Sequence, residues 1–320
     1  MHRFVSLVVS LALAALLGGC SVNPATGARS LTLLSWEREV AMGAEAAPGM
    51  TSEFGGETPD ASAQAYVDEV GQKLLGGIEE GVPQLPWTFT LLDSGVINAF
   101  ALPGGQVYLS RGLAEKLTSE AEMAGVIGHE IGHVTARHGN QRISKQIGFN
   151  VTMAAAAIVV GAADEDSDIR RYGQIGVPAL AFGGNVVLLK YGRDEELEAD
   201  MLGMRYMARA GYNPVGQRLV METLKRASGG GGGQPEWLST HPASDTRIAR
   251  INGLLRGEYA HTQNSTEFVM NESQYRSRML DRLARLGPAK HGSGPVSMLD
   301  TPSLWCAHCK AETLAAASGE

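Results

Sequence analysis

Apolar and polar positions follow a helical period along much of the chain and a strand period in one short block. After Asp60, the apolar residues Tyr66, Val67, Val70 and Leu74 fall on one helical face, which predicts a helix there. An earlier helix is expected from Ser35 to Ala46, with residues 47–60 as a linker and 21–34 extended around the turn NPATG. The stretch PWTFTLLD alternates as a strand, and INAFALPGGQVYLS reads as two extended runs either side of Pro103-Gly104-Gly105. Ser119 with Glu122 three residues on is a capping-box pattern. Met123, Val126, Ile127, Ile131 and Val134 then give the next helix a buried face, and Gly139 is its expected stop. Further helices are expected from Asp194 to before Gly211, after Pro214, from Ser244 or Asp245, and from Glu272 to Leu286. The run 228–234 is a glycine linker, and the tail from Gly287 is weakly ordered by composition. The pattern as a whole predicts an α+β, mainly helical fold.

Two uncharged stretches, 147–163 and 174–189, sit at or below the length of a membrane-crossing helix, and Asn150, Thr152 and Pro178 interrupt them. They are expected to form a buried or membrane-touching helical hairpin, with a membrane-inserted hairpin as the alternative. At the start of the chain, His2 and Arg3 precede the apolar run Phe4–Leu17, and Leu17-Gly18-Gly19-Cys20 resembles a bacterial lipobox. The resemblance implies a signal peptide at 1–19, lipidation of Cys20 and, with Ser21 following, the periplasmic face of the outer membrane. An ordinary secretory signal with an incidental cysteine is the alternative. In an exported protein Cys306 and Cys309 read as a tail disulfide or as idle thiols. The net charge of −7 argues against an electrostatic grip on nucleic acid. The expected division is 20–60 as N-terminal linker and helix, 61–260 as the main domain, and 261–320 as a C-terminal helix and tail.

The chemistry concentrates in three places. His129-Glu130-x-x-His133 puts two imidazoles one turn apart on the same side of a helix, where both can direct a ring nitrogen at one tetrahedral Zn²⁺. Glu130, turned about 100° from His129, reaches a metal-bound water and serves as general base. In DEELEAD, Glu196 supplies a third ligand, which leaves a fourth position open. Asp200, one turn on, accepts a hydrogen bond from a ligand histidine. In STHPASDTR, His241 either donates to the oxyanion or occupies the open metal position in a resting state. Arg247 supports the same charge. The expectation is one Zn²⁺ per chain.

HExxH, the E-x-x-x-D helix and THP with an arginine six residues on carry a family resemblance, supported by NAFALPGGQVYLSRGL before the first helix and RHGNQ after it. From about Ala65 to Leu255 the chain resembles the gluzincin metallopeptidases of the HtpX and CAAX-prenyl-protease type, and most of all their BepA-like and LoiP-like periplasmic lipoproteins. The resemblance implies a zincin-like domain whose HExxH helix packs on a small sheet with an open edge. It implies zinc ligands His129, His133 and Glu196, catalytic base Glu130, and a regulatory or oxyanion role for His241; His138 also matches, without an assigned role. It further implies that substrate adds as a β-strand, with Asn98, Ala99, Phe100 and Ala101 as the edge. The expected substrates are unfolded or misassembled envelope proteins, cleaved in quality control.

Overall fold

A computed structural model describes residues 20–161, 191–228, 235–242 and 244–290. Strands β1 (Cys20–Val22) and β2 (Arg29–Leu31) pair antiparallel around a turn in which the Asn23 side chain accepts from the N–H groups of Ala25 and Thr26. Helix α1 (Trp36–Glu53) is capped by Ser35 and α2 (Ala61–Leu75) by Asp60. Strands β3 (Thr88–Leu92), β4 (Ala99–Leu102) and β5 (Gln106–Ser110) follow. They form one sheet in the order β3-β5-β4, parallel between β3 and β5 and antiparallel between β4 and β5. Central β5 is buried at every position. The outer side of β3 is covered by chain: Thr58 N–H donates to the Leu91 carbonyl and Asp93 N–H to that of Gly56. Among the described residues, that leaves β4 as the sheet's open edge.

Helix α3 (Glu120–Thr135) carries HExxH, and α4 (His138–Gly161) runs on from it. Next come α5 (Arg193–Arg209), α6 (Val215–Ser228), the short α7 (Glu236–Thr240) and α8 (Asp245–Arg256). All 16 residues of α3 are buried, because α2, α5, α6 and the sheet surround it. The apolar face expected from the sequence is therefore only part of a wholly enclosed helix.

Several expected boundaries are corrected. Helix α1 continues past Ala46, through Pro48, to Glu53. Met50 and Phe54 pack there on Leu92, Phe100, Leu102 and Tyr108, and this burial offsets the cost of about 3 kcal/mol for proline inside a helix. Only half of the capping box forms. Ser119 Oγ accepts from Glu122 N–H, but the Glu122 carboxylate turns to the N–H and hydroxyl of Thr118. Helix α3 breaks at the left-handed Arg137 (φ 59°), not at Gly139, which lies inside α4. Arg137 is held in the left-handed region by its ion pair with buried Glu39 and by a bond to the Leu34 carbonyl. The last helix contains a π-turn, Arg276–Leu280, and ends at Leu283. Residues 147–161 of the expected hairpin continue α4, and its remainder, the signal segment, 229–234 and the Cys306–Cys309 tail lie outside the described residues. Among the described residues no helix is long and apolar enough to cross a membrane.

Candidate metal and catalytic site

Helices α3 and α5 cross at backbone contact. A Cβ on Gly203 would lie 2.9 Å from the His129 nitrogen, and one on Gly132 would lie 2.9 Å from the Ala199 carbonyl. Only glycine permits this approach, and it brings Glu196 of α5 up to the two histidines of α3. His129 Nε2 and His133 Nε2 lie 3.1 Å apart. Glu196 Oε1 is 3.5 Å from His133 Nε2, and Oε2 is 3.5 Å from His129 Nε2. His241, just after α7, completes the group, with Nδ1 3.2 Å from His129 Nε2 and 3.0 Å from Glu196 Oε1. One ligand atom from each of the four buried residues lies within 4.8 Å of all the others.

Three imidazole nitrogens and a carboxylate aimed at one point need a shared proton or a cation between them. The cluster therefore fits a metal ion, and its nitrogen-rich, four-donor composition suits Zn²⁺. His241 falls among the residues that could hold a metal, next to His129 and Glu196.

Asp200 Oδ1 lies 3.0 Å from His129 Nδ1, where it sets the ring's orientation. Burial works against a charged His129, yet Asp200 and Glu196 outweigh it and lift the ring to about 9 in the metal-free protein. Burial likewise opposes the Asp200 carboxylate, but Arg247 and His129 hold it down at about 2. Burial keeps His133 well below the usual imidazole range.

Arg247, expected to support the charge at the open position, is buried against the Asp200 and Glu196 carboxylates. Its Nε and Nη2 donate to the two Asp200 oxygens at 2.7 Å, its Nη1 lies 2.5 Å from Glu196 Oε2, and Nη1 also faces the His241 and Pro242 carbonyls. Its donors are thus committed to Asp200, Glu196 and the His241 backbone, which it ties together.

Glu130 is buried beside the ligands. Its Oε1 accepts from Trp237 Nε1 at 3.1 Å and lies 3.6 Å from His241 Nε2. Trp237 was not anticipated. Its backbone N–H donates to the Ile97 carbonyl and its carbonyl accepts from His241 N–H at 2.7 Å, so one residue links the sheet edge, Glu130 and His241. Tyr191 was also missed: its ring stacks on His133 at 3.7 Å, and its N–H donates to the Thr240 carbonyl. A lone tryptophan four residues before His241 was the only signal for Trp237. Tyr191 carried none, since its contacts come from elements distant in sequence. His138 Nδ1 lies 2.9 Å from His133 Nδ1, on the far side of that ring from the ligand cluster.

The side chains of Asn98, Ala99 and Phe100 are buried and Ala101 is half-buried. Ser110 N–H donates to the Asn98 carbonyl, so the backbone groups of Asn98 and Phe100 face β5 and those of Ala99 and Ala101 face the open edge. Among the described residues, Ala99 and Ala101 have no backbone partner on that edge. Glu236 stands beside it: Asn98 Nδ2 reaches its carboxylate at 3.5 Å, and burial, with Glu53 nearby, pushes that carboxyl up to about 7.

Sequence comparison places this geometry among known proteins. The profile of Peptidase family M48 matches residues 61–255. The chain is 30% identical to the mitochondrial metalloendopeptidase OMA1 of Schizosaccharomyces pombe over 72% of its own length and 65% of that protein. It is 27% identical to the beta-barrel assembly-enhancing protease of Yersinia pestis over 69% of its length and 47% of that protein. To the same-named Escherichia coli protein it is 29% identical over 58% of its length and 37% of that protein. The chain thus spans less than two thirds of each of these relatives.

Proposed function

This chain belongs to peptidase family M48, and from that premise we propose that it is a zinc-dependent endopeptidase of the bacterial cell envelope that cleaves extended segments of unfolded or misassembled envelope proteins. The observation that carries the reading is the convergence of His129, His133, Glu196 and His241 beside the buried Glu130 carboxylate. A zinc ion held by these residues would polarise the scissile carbonyl and acidify water. Glu130 takes the proton from the attacking water and returns it to the leaving amine. The indole N–H of Trp237 fixes the Glu130 carboxylate in place for both transfers. Arg247 and Asp200 hold Glu196 and His129 in register.

Substrate adds to the outer edge of β4, with the backbone of Ala99 and Ala101 pairing to an extended segment. Such pairing tolerates many side chains but requires unfolded chain, and the name of the beta-barrel assembly-enhancing relatives agrees with strand-forming substrates. Equal cleavage of folded and unfolded forms of one protein would remove this part of the reading. His241 acts as a gate: as fourth ligand it holds the enzyme latent, and its departure opens the position for substrate. Lipidation at Cys20, the residue that opens β1, keeps the domain at the periplasmic face of the outer membrane. A Cys20→Ser protein should then leave the membrane fraction.

The first test is cleavage of casein, an unfolded protein, by the zinc-loaded full chain beside Glu130→Gln. Cleavage by the parent with a loss of about 10²- to 10⁴-fold in the variant is expected. Equal rates in the two proteins would overturn the mechanism.

A further inference from the structure

His133 faces the ligand cluster with Nε2, so as a neutral ligand it must carry its proton on Nδ1. That nitrogen lies 2.9 Å from His138 Nδ1, a buried contact too short to admit a bridging water. Two N–H groups cannot face each other at this distance. His138 must accept at Nδ1 and therefore carry its own proton on Nε2. His138 Nε2 in turn lies 3.0 Å from Glu198 Oε2, a carboxylate that can only accept. One tautomer satisfies all three groups, and the acceptor at the outer end selects it.

We propose that His138 and Glu198 form a positioning relay that sets the tautomer of His133 and so keeps its Nε2 free to bind the metal; the proposal rests on the zinc reading of the site. The relay is the counterpart of the direct Asp200 contact on His129. Three acidic residues of α5 then divide the work. Glu196 is a ligand, Asp200 orients one histidine, and Glu198, turned to the other side of the helix, orients the second through an intermediary. The intermediary is needed because His138, the first residue of α4, lies between His133 and Glu198 of α5. Neither His138 nor Glu198 touches the ligand cluster's centre, so neither is a catalytic residue.

The test is zinc affinity of the full chain, measured by competition with a chelator, with thermal unfolding of the zinc-free proteins as the control for folding. The parent should bind one zinc and Glu196→Ala should not. If the parent binds none, the site reading fails and the relay with it. Given parent binding, His138→Ala should weaken affinity by about 10- to 100-fold and Glu198→Ala by about 10-fold, the range for partners that orient metal ligands. Glu198 keeps 27% of its side chain exposed, so Glu198→Ala should leave the zinc-free unfolding midpoint unchanged. Because Glu198 acts only through His138, the double variant should be no weaker than His138→Ala alone. Nitrogen-15 NMR of the zinc-loaded parent should show His138 protonated at Nε2. Additive losses, unchanged affinity in a folded Glu198→Ala protein, or His138 protonated at Nδ1 would each overturn the relay.

Discussion

The two sides of the site are held in different ways. On one side α3 and α5 touch backbone to backbone at Gly132 and Gly203, and three of the four converging residues come from this crossing. Their outer atoms are all engaged: His129 by Asp200, His133 by His138, and Glu196 by Arg247. On the other side stands the Glu236–His241 segment, tied to the sheet through the Trp237–Ile97 bond and to Glu130 through the indole. On the proposed reading, the first side is a close-packed floor that would fix metal geometry. The second would bring a ligand, the contact to the base and the rim of the substrate edge on one short piece of chain, as a moving part would.

The contrast predicts that changes to the floor remove metal, whereas changes to the segment keep metal and alter rate. Glu196→Ala should lose zinc and with it all cleavage, read as metal stoichiometry and turnover of unfolded substrate. Retained zinc would mean that the floor is not the metal site. Gly203→Ala forces a methyl against the His129 backbone and should cost about 1–3 kcal/mol in denaturant unfolding, with weaker zinc binding. A neutral result would show that the crossing has slack.

On the segment side, His241→Ala should keep zinc on three ligands and raise cleavage on the order of tenfold, if the open form makes up about a tenth of the parent. A fall instead would assign His241 to the oxyanion and break the comparison. Trp237→Phe removes the donor to Glu130 and should slow turnover by an amount equivalent to about 1 kcal/mol while leaving zinc affinity unchanged.

The smallest effect concerns Glu236. Its carboxyl ordinarily titrates at 4.5 and here at about 7, so between those values the folded protein keeps a proton that the unfolded chain has lost. The group's contribution to stability therefore falls as pH rises through that window. The unfolding midpoint of Glu236→Gln should gain on the parent from pH 5 to pH 8. A constant difference would show that Glu236 is not held in this environment.

Much of this was legible along the chain. Asp60, Ser119 and Ser244 cap helices where their side chains said they would, and the Pro103-Gly104-Gly105 turn joins two strands. HExxH and E-x-x-x-D announced three converging residues. Other features were hidden. Pro48 looked like a helix end until Met50 and Phe54 found the sheet. Gly139 looked like the stop until the ion pair with Glu39 held Arg137 left-handed. Arg247 looked like a partner for charge on the substrate until Asp200 and Glu196 took its donors.

The sequence by itself determined everything that depends on spacing within one helix. A period of 3.6 residues puts positions four apart on one side in any surroundings, so His129 with His133, and Glu196 with Asp200, were paired before folding. Only the tertiary structure decided which atoms meet across elements: Trp237 on Glu130, Tyr191 on His133, and Glu198 reaching His133 through His138. Those meetings depend on the crossing of α3 and α5 and the left-handed break at Arg137, which arise from packing among residues far apart in the chain and leave no local period to read.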